Sequence, residues 1–93
     1  MPIRFEWDER KRWTNLERHG FDFADAAEVF EGFTLTYEDD RFAYGEQRFV
    51  TLGLLRGVPV SIAHLESPRR IRLISFRKAT RHEEAQLFRH LPD

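Results

Sequence analysis

The chain predicts an α+β fold, an antiparallel β-sheet meander carrying an N-terminal helical hairpin and a C-terminal helix. Three observations predict it. Two short helical patterns, each with a capping residue and a terminating glycine, lie before position 33. Strand-like runs with tight turns then fill positions 34–78. Last comes RRIRLISFRKATRH, in which polar and apolar residues alternate before a helix-capping sequence.

Taken in order, Ile3–Trp7 alternates and reads as a short edge strand. Asp8 supplies an N-cap oxygen for a helix over Glu9–His19, and Gly20 suits the left-handed residue that closes it. Trp13 and Leu16 are expected to line one face of that helix. Asp22 caps a second helix over Phe23–Glu31, where Phe23, Ala26, Ala27 and Phe30 follow helical spacing and Gly32 stops it. Thr34–Glu38 is the next strand. Arg48–Leu55 and Val58–Glu66 flank Arg56-Gly57, a tight hairpin signal. Arg70–Lys78 follows the turn sequence Ser67-Pro68-Arg69. Thr80 with Glu83 forms a capping box for a last helix over Arg81–His90. Short links imply consecutive strands pairing antiparallel, with the helices on one sheet face.

Composition narrows the functional classes. Ninety-three residues, 41% of them hydrophobic and with nine Phe and two Trp, make one domain over residues 1–93 with a compact core. Cysteine is absent, so disulfides, thiolate metal sites and cysteine nucleophiles are excluded. No apolar run reaches the roughly 18 residues a membrane span needs, and the N-terminus lacks the apolar core of a signal peptide. A cytoplasmic protein without membrane contact is expected. Net charge is −1, yet charge is segregated. Asp22, Asp25, Glu28, Glu31, Glu38, Asp39 and Asp40 form a block without a basic residue. Arg69, Arg70, Arg72, Arg77, Lys78, Arg81 and His82 form a stretch without an acidic one. A strand that displays guanidinium forks suits phosphate, and nucleic acid is the first candidate partner.

With regular alternation, Arg70, Arg72, Ile74 and Phe76 share one face, and Ile71, Leu73, Ser75 and Arg77 the other. Arg72 and Arg77 can then meet one cleft only if the strand ends or bulges near Ser75. His82-Glu83-Glu84 is no metal site, because adjacent ligands on a helix diverge and the second histidine of H-E-x-x-H is missing. P-loop, GxSxG and dinucleotide fingerprints are also absent, so no metal or cofactor is expected.

Three segments together resemble one family. FEWDERKRWTNLERHG at Phe5–Gly20 is similar to the W-D-x-x-K-x-x-x-N-x-x-[KR]-H-G opening of BrnT-type toxins. EDDRFAYGEQRFVTLGL at Glu38–Leu54 resembles their D-D-R…Y-G-E-x-R segment, and RIRLISFRKATRHE at Arg70–Glu83 resembles their R-I-I-S-A-R-x-A-[ST] strand and cap. Phe76 departs from the pattern, standing where many members carry a small residue. The resemblance implies a RelE-like fold and a metal-independent ribonuclease toxin of a type II toxin–antitoxin pair. It also implies silencing by a BrnA-type antitoxin in a 2:2 heterotetramer that binds operator DNA through the antitoxin.

Such cleavage needs a base for the 2′-hydroxyl, an acid for the leaving 5′-oxygen and cations for the phosphate. His19 ends the first helix, where the dipole favours its protonated form, as acid or phosphate clamp. Arg77 is expected to stabilise transition-state charge, with Arg72 or Arg70 on a flanking phosphate. Glu66, sharing a strand face with His64, is the base or orienter; His64 itself reads as a half-buried structural histidine. Arg18, Arg41, Arg48, Arg70 and Lys78 are the expected RNA contacts, with Tyr44 beside Arg41 and Arg48 as a stacking surface for a base. The bland alternatives are a helix-capping His19, arginines in structural ion pairs and a solvated Glu66. On those, the domain is a non-catalytic RNA- or protein-binding adaptor, or a degenerate toxin.

Overall fold

The computed structural model describes residues 3–40 and 45–92. In chain order they form β1 (Arg4–Glu6), α1 (Glu9–His19), a 3-10 turn (Phe23–Asp25) and α2 (Ala26–Glu31). Then follow β2 (Leu35–Asp39), β3 (Arg48–Leu55), β4 (Val58–Ser67), β5 (Arg70–Lys78) and α3 (Arg81–His90). Arg41, expected to contact RNA, and Tyr44 lie outside the described residues.

Local chemistry explains the helix ends. The Asp8 carboxylate accepts from the Arg10 and Lys11 N–H groups, which holds its carboxyl below the usual range. Gly20 closes α1 at φ +79°, a conformation that penalises a side chain. Thr80 and Glu83 make both bonds of the capping box at the start of α3. The second helix is shorter than its periodicity suggests. Asp22 caps a 3-10 turn, and only Ala26–Glu31 is α-helical. Helix α1 lies along β5 and α2 along β3, so the sheet is what joins this expected hairpin.

The sheet has five strands in the order β1-β5-β4-β3-β2, and it is mixed. β2 to β5 form the expected antiparallel meander. β1 runs parallel to β5, pairing Arg4 with Arg70 and Glu6 with Arg72. A purely antiparallel sheet is therefore corrected: once α1 crosses the sheet, β1 can reach an edge only beside β5, running the same way.

Helices cover both faces, a second correction. One core gathers Phe23, Ala26 and Val29 with Leu55, Val60, Ile62, Ile71, Leu73 and Phe76. A smaller core on the other face packs Leu87 of α3 against Val50 and Leu52. Gly53 lets the second helix approach β3, because a Cβ there would lie 2.7 Å from Val29 Cγ1. The buried residue of α1 is Asn15, whereas Trp13 is 57% exposed. Trp13 does not line a packed face as expected; the Arg12 guanidinium rests on its ring, 5.1 Å from the centroid.

Candidate functional site

The geometry of β5 decides which arginines share a face. Ala63 pairs with Ser75, but His64 pairs with Leu73, so Ile74 is an extra residue in the ladder. A bulge resets the alternation after it. Ile71, Leu73 and Phe76 all turn into the larger core. Arg70, Arg72, Ser75 and Arg77 consequently share the opposite face. Regular alternation placed Arg72 and Arg77 on different faces; the bulge overturns that division. Arg48, two residues before Val50 on β3, shares the arginine face. Lys78 pairs with Val60 and lies on the other face, exposed at the strand end.

Three grooves receive the expected site residues. The first is lined by Glu6, Glu46, Gln47, Leu65, Glu66, Ser67, Arg70 and Arg72. Glu66 and Arg72 both line it, from opposite faces of the sheet: Glu66 pairs with Ile71, which enters the larger core, and Arg72 with Leu65. Arg70 Nε lies 3.5 Å from Glu6 Oε1. Arg72 is exposed and, among the described residues, makes no ion pair or side-chain hydrogen bond. Its charge reaches Asp8 at the start of α1, where it helps hold that carboxyl down.

The second groove lies between α1 and the bulge, lined by Lys11, Thr14, Asn15, Arg18, His19, Ile74 and Ser75. His19 and Arg18 are here. Asn15 pins the helix to the strand: its amide nitrogen donates to Phe76 O at 2.8 Å and Phe21 O at 2.9 Å. Its Oδ1 accepts from the Phe76 N–H at 3.0 Å. The side chain thus takes the place of a neighbouring strand where β1 has ended.

The third groove holds Arg77, with Tyr37, Glu38, Asp39, Asp40, Val50 and Glu83. Arg77 donates in a fork to both Glu83 oxygens, at 2.8 and 3.0 Å. Burial pushes the Glu83 carboxyl up, but the Arg77 fork and the Thr80 N–H outweigh it and hold it below the usual range. Arg48 Nη2 lies 4.0 Å from Glu46 Oε1.

Beneath the first groove, His64 is fully buried between Phe30 and Phe49. Its Nε2 shares a 2.7 Å hydrogen bond with Thr51 Oγ1, which in turn meets Thr36 Oγ1 at 2.7 Å. Burial pushes its pKa down to about 4, so the ring is neutral at physiological pH. Glu66 Oε1 stands 3.7 Å from His64 Nδ1, beyond hydrogen-bond reach.

Glu66 and Arg72 are therefore gathered in one groove, His19 in a second, and Arg77 in a third. Sequence reasoning missed Lys11, Thr14 and Asn15. Their signal was legible: Lys11, Thr14, Asn15, Arg18 and His19 recur at i, i+3, i+4, i+7 and i+8, the spacing of one helix face. That stripe is polar and cationic where an apolar one would ordinarily meet the sheet. Among the described residues no three His, Cys, Asp or Glu side chains cluster closely enough to hold a metal ion.

Strand order, packing on both faces and the arginine-bearing side of β5 define a small α+β protein with one cationic sheet face. The family model of the ribonuclease toxin BrnT of type II toxin–antitoxin systems matches residues 7–83, and the chain belongs to that family. It is similar to the Brucella abortus ribonuclease toxin BrnT, known from a crystal structure at 1.1 Å. The two are 28% identical, with a TM-score of 0.65, over 85% of this chain and 99% of that one. No curated protein sequence matches the chain. Among the described residues no helix is long and apolar enough to cross a membrane.

Proposed function

We propose that this chain is the toxin of a type II pair and acts as a metal-independent endoribonuclease of one RelE-like domain in the cytoplasm. The observation that carries the reading is the bulge at Ile74, which brings Ser75 and Arg77 onto the face of Arg70 and Arg72, with Arg72 unpaired among the described residues in the groove that Glu66 also lines.

In this reading the 2′-hydroxyl attacks the adjacent phosphorus, its proton passing to Glu66. The P–O5′ bond breaks as His19 protonates the leaving oxygen. The products are a 2′,3′-cyclic phosphate and a 5′-hydroxyl, so protons and bonds balance. Arg72 steadies the charge on the phosphate, Arg70 and Arg48 hold the flanking backbone, and Arg18 and Lys78 extend the contact. Arg77 serves the site through α3, since Glu83 occupies its guanidinium and carboxylates surround it.

Silencing falls to a BrnA-type antitoxin, two copies with two toxins, whose own domain binds operator DNA. The carboxylates of Glu38, Asp39 and Asp40 beside β2 suit basic residues of that partner.

One observation favours a second reading. Glu66, His19 and Arg77 lie in three grooves, and an adaptor or a degenerate toxin tolerates such dispersion. Induction of the chain alone in bacteria, with Arg72→Ala and Arg77→Ala alongside, separates the two. Growth arrest and RNA decay that Arg72→Ala abolishes support the nuclease. Normal growth with folded wild-type protein supports the adaptor.

A further inference from the structure

Several cations of this fold are held in ion pairs. Arg12 is held by Asp22 and Glu9, Arg56 by Glu28 and Asp25, Arg70 by Glu6, and Arg77 by Glu83. Lys11, Arg18 and His19 are exposed and, among the described residues, make no ion pair or side-chain hydrogen bond. All three line the groove between α1 and the bulge of β5.

That groove also differs in what it lacks. Glu6, Glu46 and Glu66 line the first groove, and Glu38, Asp39, Asp40 and Glu83 the third. Among the described residues no carboxylate lines the second. A polyanion entering the first or third meets repulsion as well as attraction. In the second it meets Lys11 and Arg18 with no carboxylate beside them.

We propose that this groove is an RNA-backbone site, in which Lys11 and Arg18 hold successive phosphates of one strand. The inference rests on the polyanion part of the reading above and assigns Lys11, Thr14 and Ser75 to it. From Lys11 to His19 the helix rises about 12 Å, which suits an extended strand better than one small anion. The site is preorganised. Asn15, at the centre of the stripe, is buried and bonded to both backbone groups of Phe76, so the flanking side chains project from a helix locked to β5. The Thr14 and Ser75 hydroxyls in the lining donate to or accept from a ribose 2′-hydroxyl, the group that separates RNA from DNA.

Position supports continuity with the first groove. β1 covers the outer edge of β5 at Arg70–Arg72, and Asn15 covers it at Phe76. The bulge lies between, so a strand leaving Arg72 along this edge passes directly to Lys11.

The test uses the full chain and an uncleavable 2′-O-methyl single-stranded oligonucleotide, with binding followed by fluorescence anisotropy across a salt series. Lys11→Gln and Arg18→Gln are each expected to weaken binding and to flatten the log–log salt slope by about 0.7, the value for one single-strand phosphate contact. Arg89→Gln, on the last turn of α3, is expected to leave both unchanged. Unaltered affinity and slope in folded Lys11→Gln and Arg18→Gln would overturn the proposal. Loss of slope in a protein that leaves natural RNA intact would uphold this site while removing the nuclease reading. RNA cleavage that needs Arg72 but ignores Lys11 and Arg18 would do the reverse.

Discussion

Asn15 offers the most direct test of how the fold builds the groove. Its side chain makes three hydrogen bonds, two of them to the buried backbone of Phe76 and one to Phe21 O. Asn15→Ala removes all three and leaves the Phe76 N–H and C=O without partners where β1 no longer covers β5. An orphaned buried polar group costs roughly 1–3 kcal/mol, and the half-buried Phe21 carbonyl regains water. The expected loss is therefore about 3 kcal/mol. For a chain of this size that lowers Tm by roughly 15 °C. Urea unfolding followed by circular dichroism reads the stability, and amide hydrogen exchange reads Phe76 itself. Asn15→Asp keeps the acceptor but sets a carboxylate against two carbonyls, so it should be at least as harmful at neutral pH. Protonation restores one donor, and that variant should regain stability as pH falls. A loss below about 1 kcal/mol for Asn15→Ala, with the Phe76 amide still protected, would refute the argument that this amide replaces a strand.

Other expectations follow from single contacts. Burial depresses the His64 pKa to about 4, against 6.5 when the chain is unfolded. The stability tied to its neutral form is complete above about pH 6.5 and lost as pH falls toward 4, by about 3 kcal/mol. Urea midpoints across that window should show the slope in the wild type and lose it in His64→Gln. Gly53→Ala drives a Cβ to 2.7 Å from Val29 Cγ1 and 3.2 Å from Thr34 Cγ2. It should cost about 1–3 kcal/mol, read as a lower urea midpoint. Arg77→Ala frees Glu83 and loosens α3, so it should lower Tm; RNA integrity at a permissive temperature should resemble the wild type. Abolished RNA decay in folded Arg77→Ala would return Arg77 to the catalytic centre.

The helix ends were legible in the sequence because their chemistry is local. Asp8, Gly20, Thr80 and Glu83 act on backbone groups within a few residues of themselves, and all four do what their positions imply. The hairpin at Arg56-Gly57 is legible for the same reason, with both residues at positive φ. The family motif around Lys11, Asn15, Arg18 and His19 was visible as a resemblance, but its purpose was not. Only α1 seated on β5 shows that Asn15 is the buried member and that its neighbours line a groove. Trp13, one of the two large apolar residues of that helix, lies outside.

Composition and periodicity by themselves determined the α+β class, the order of the elements, the separation of acidic from basic surface and the exclusion of cysteine chemistry. Tertiary structure decided the rest. Pairing β1 beside β5 joins Arg4 to Arg70, a contact between distant parts of the chain that no local pattern encodes. The extra residue at Ile74 is equally silent, since a bulge leaves the alternation intact on either side and shifts only its phase. Faces, partners and grooves depend on that phase and on which strands meet, and both are settled only when the whole sheet closes over its two cores.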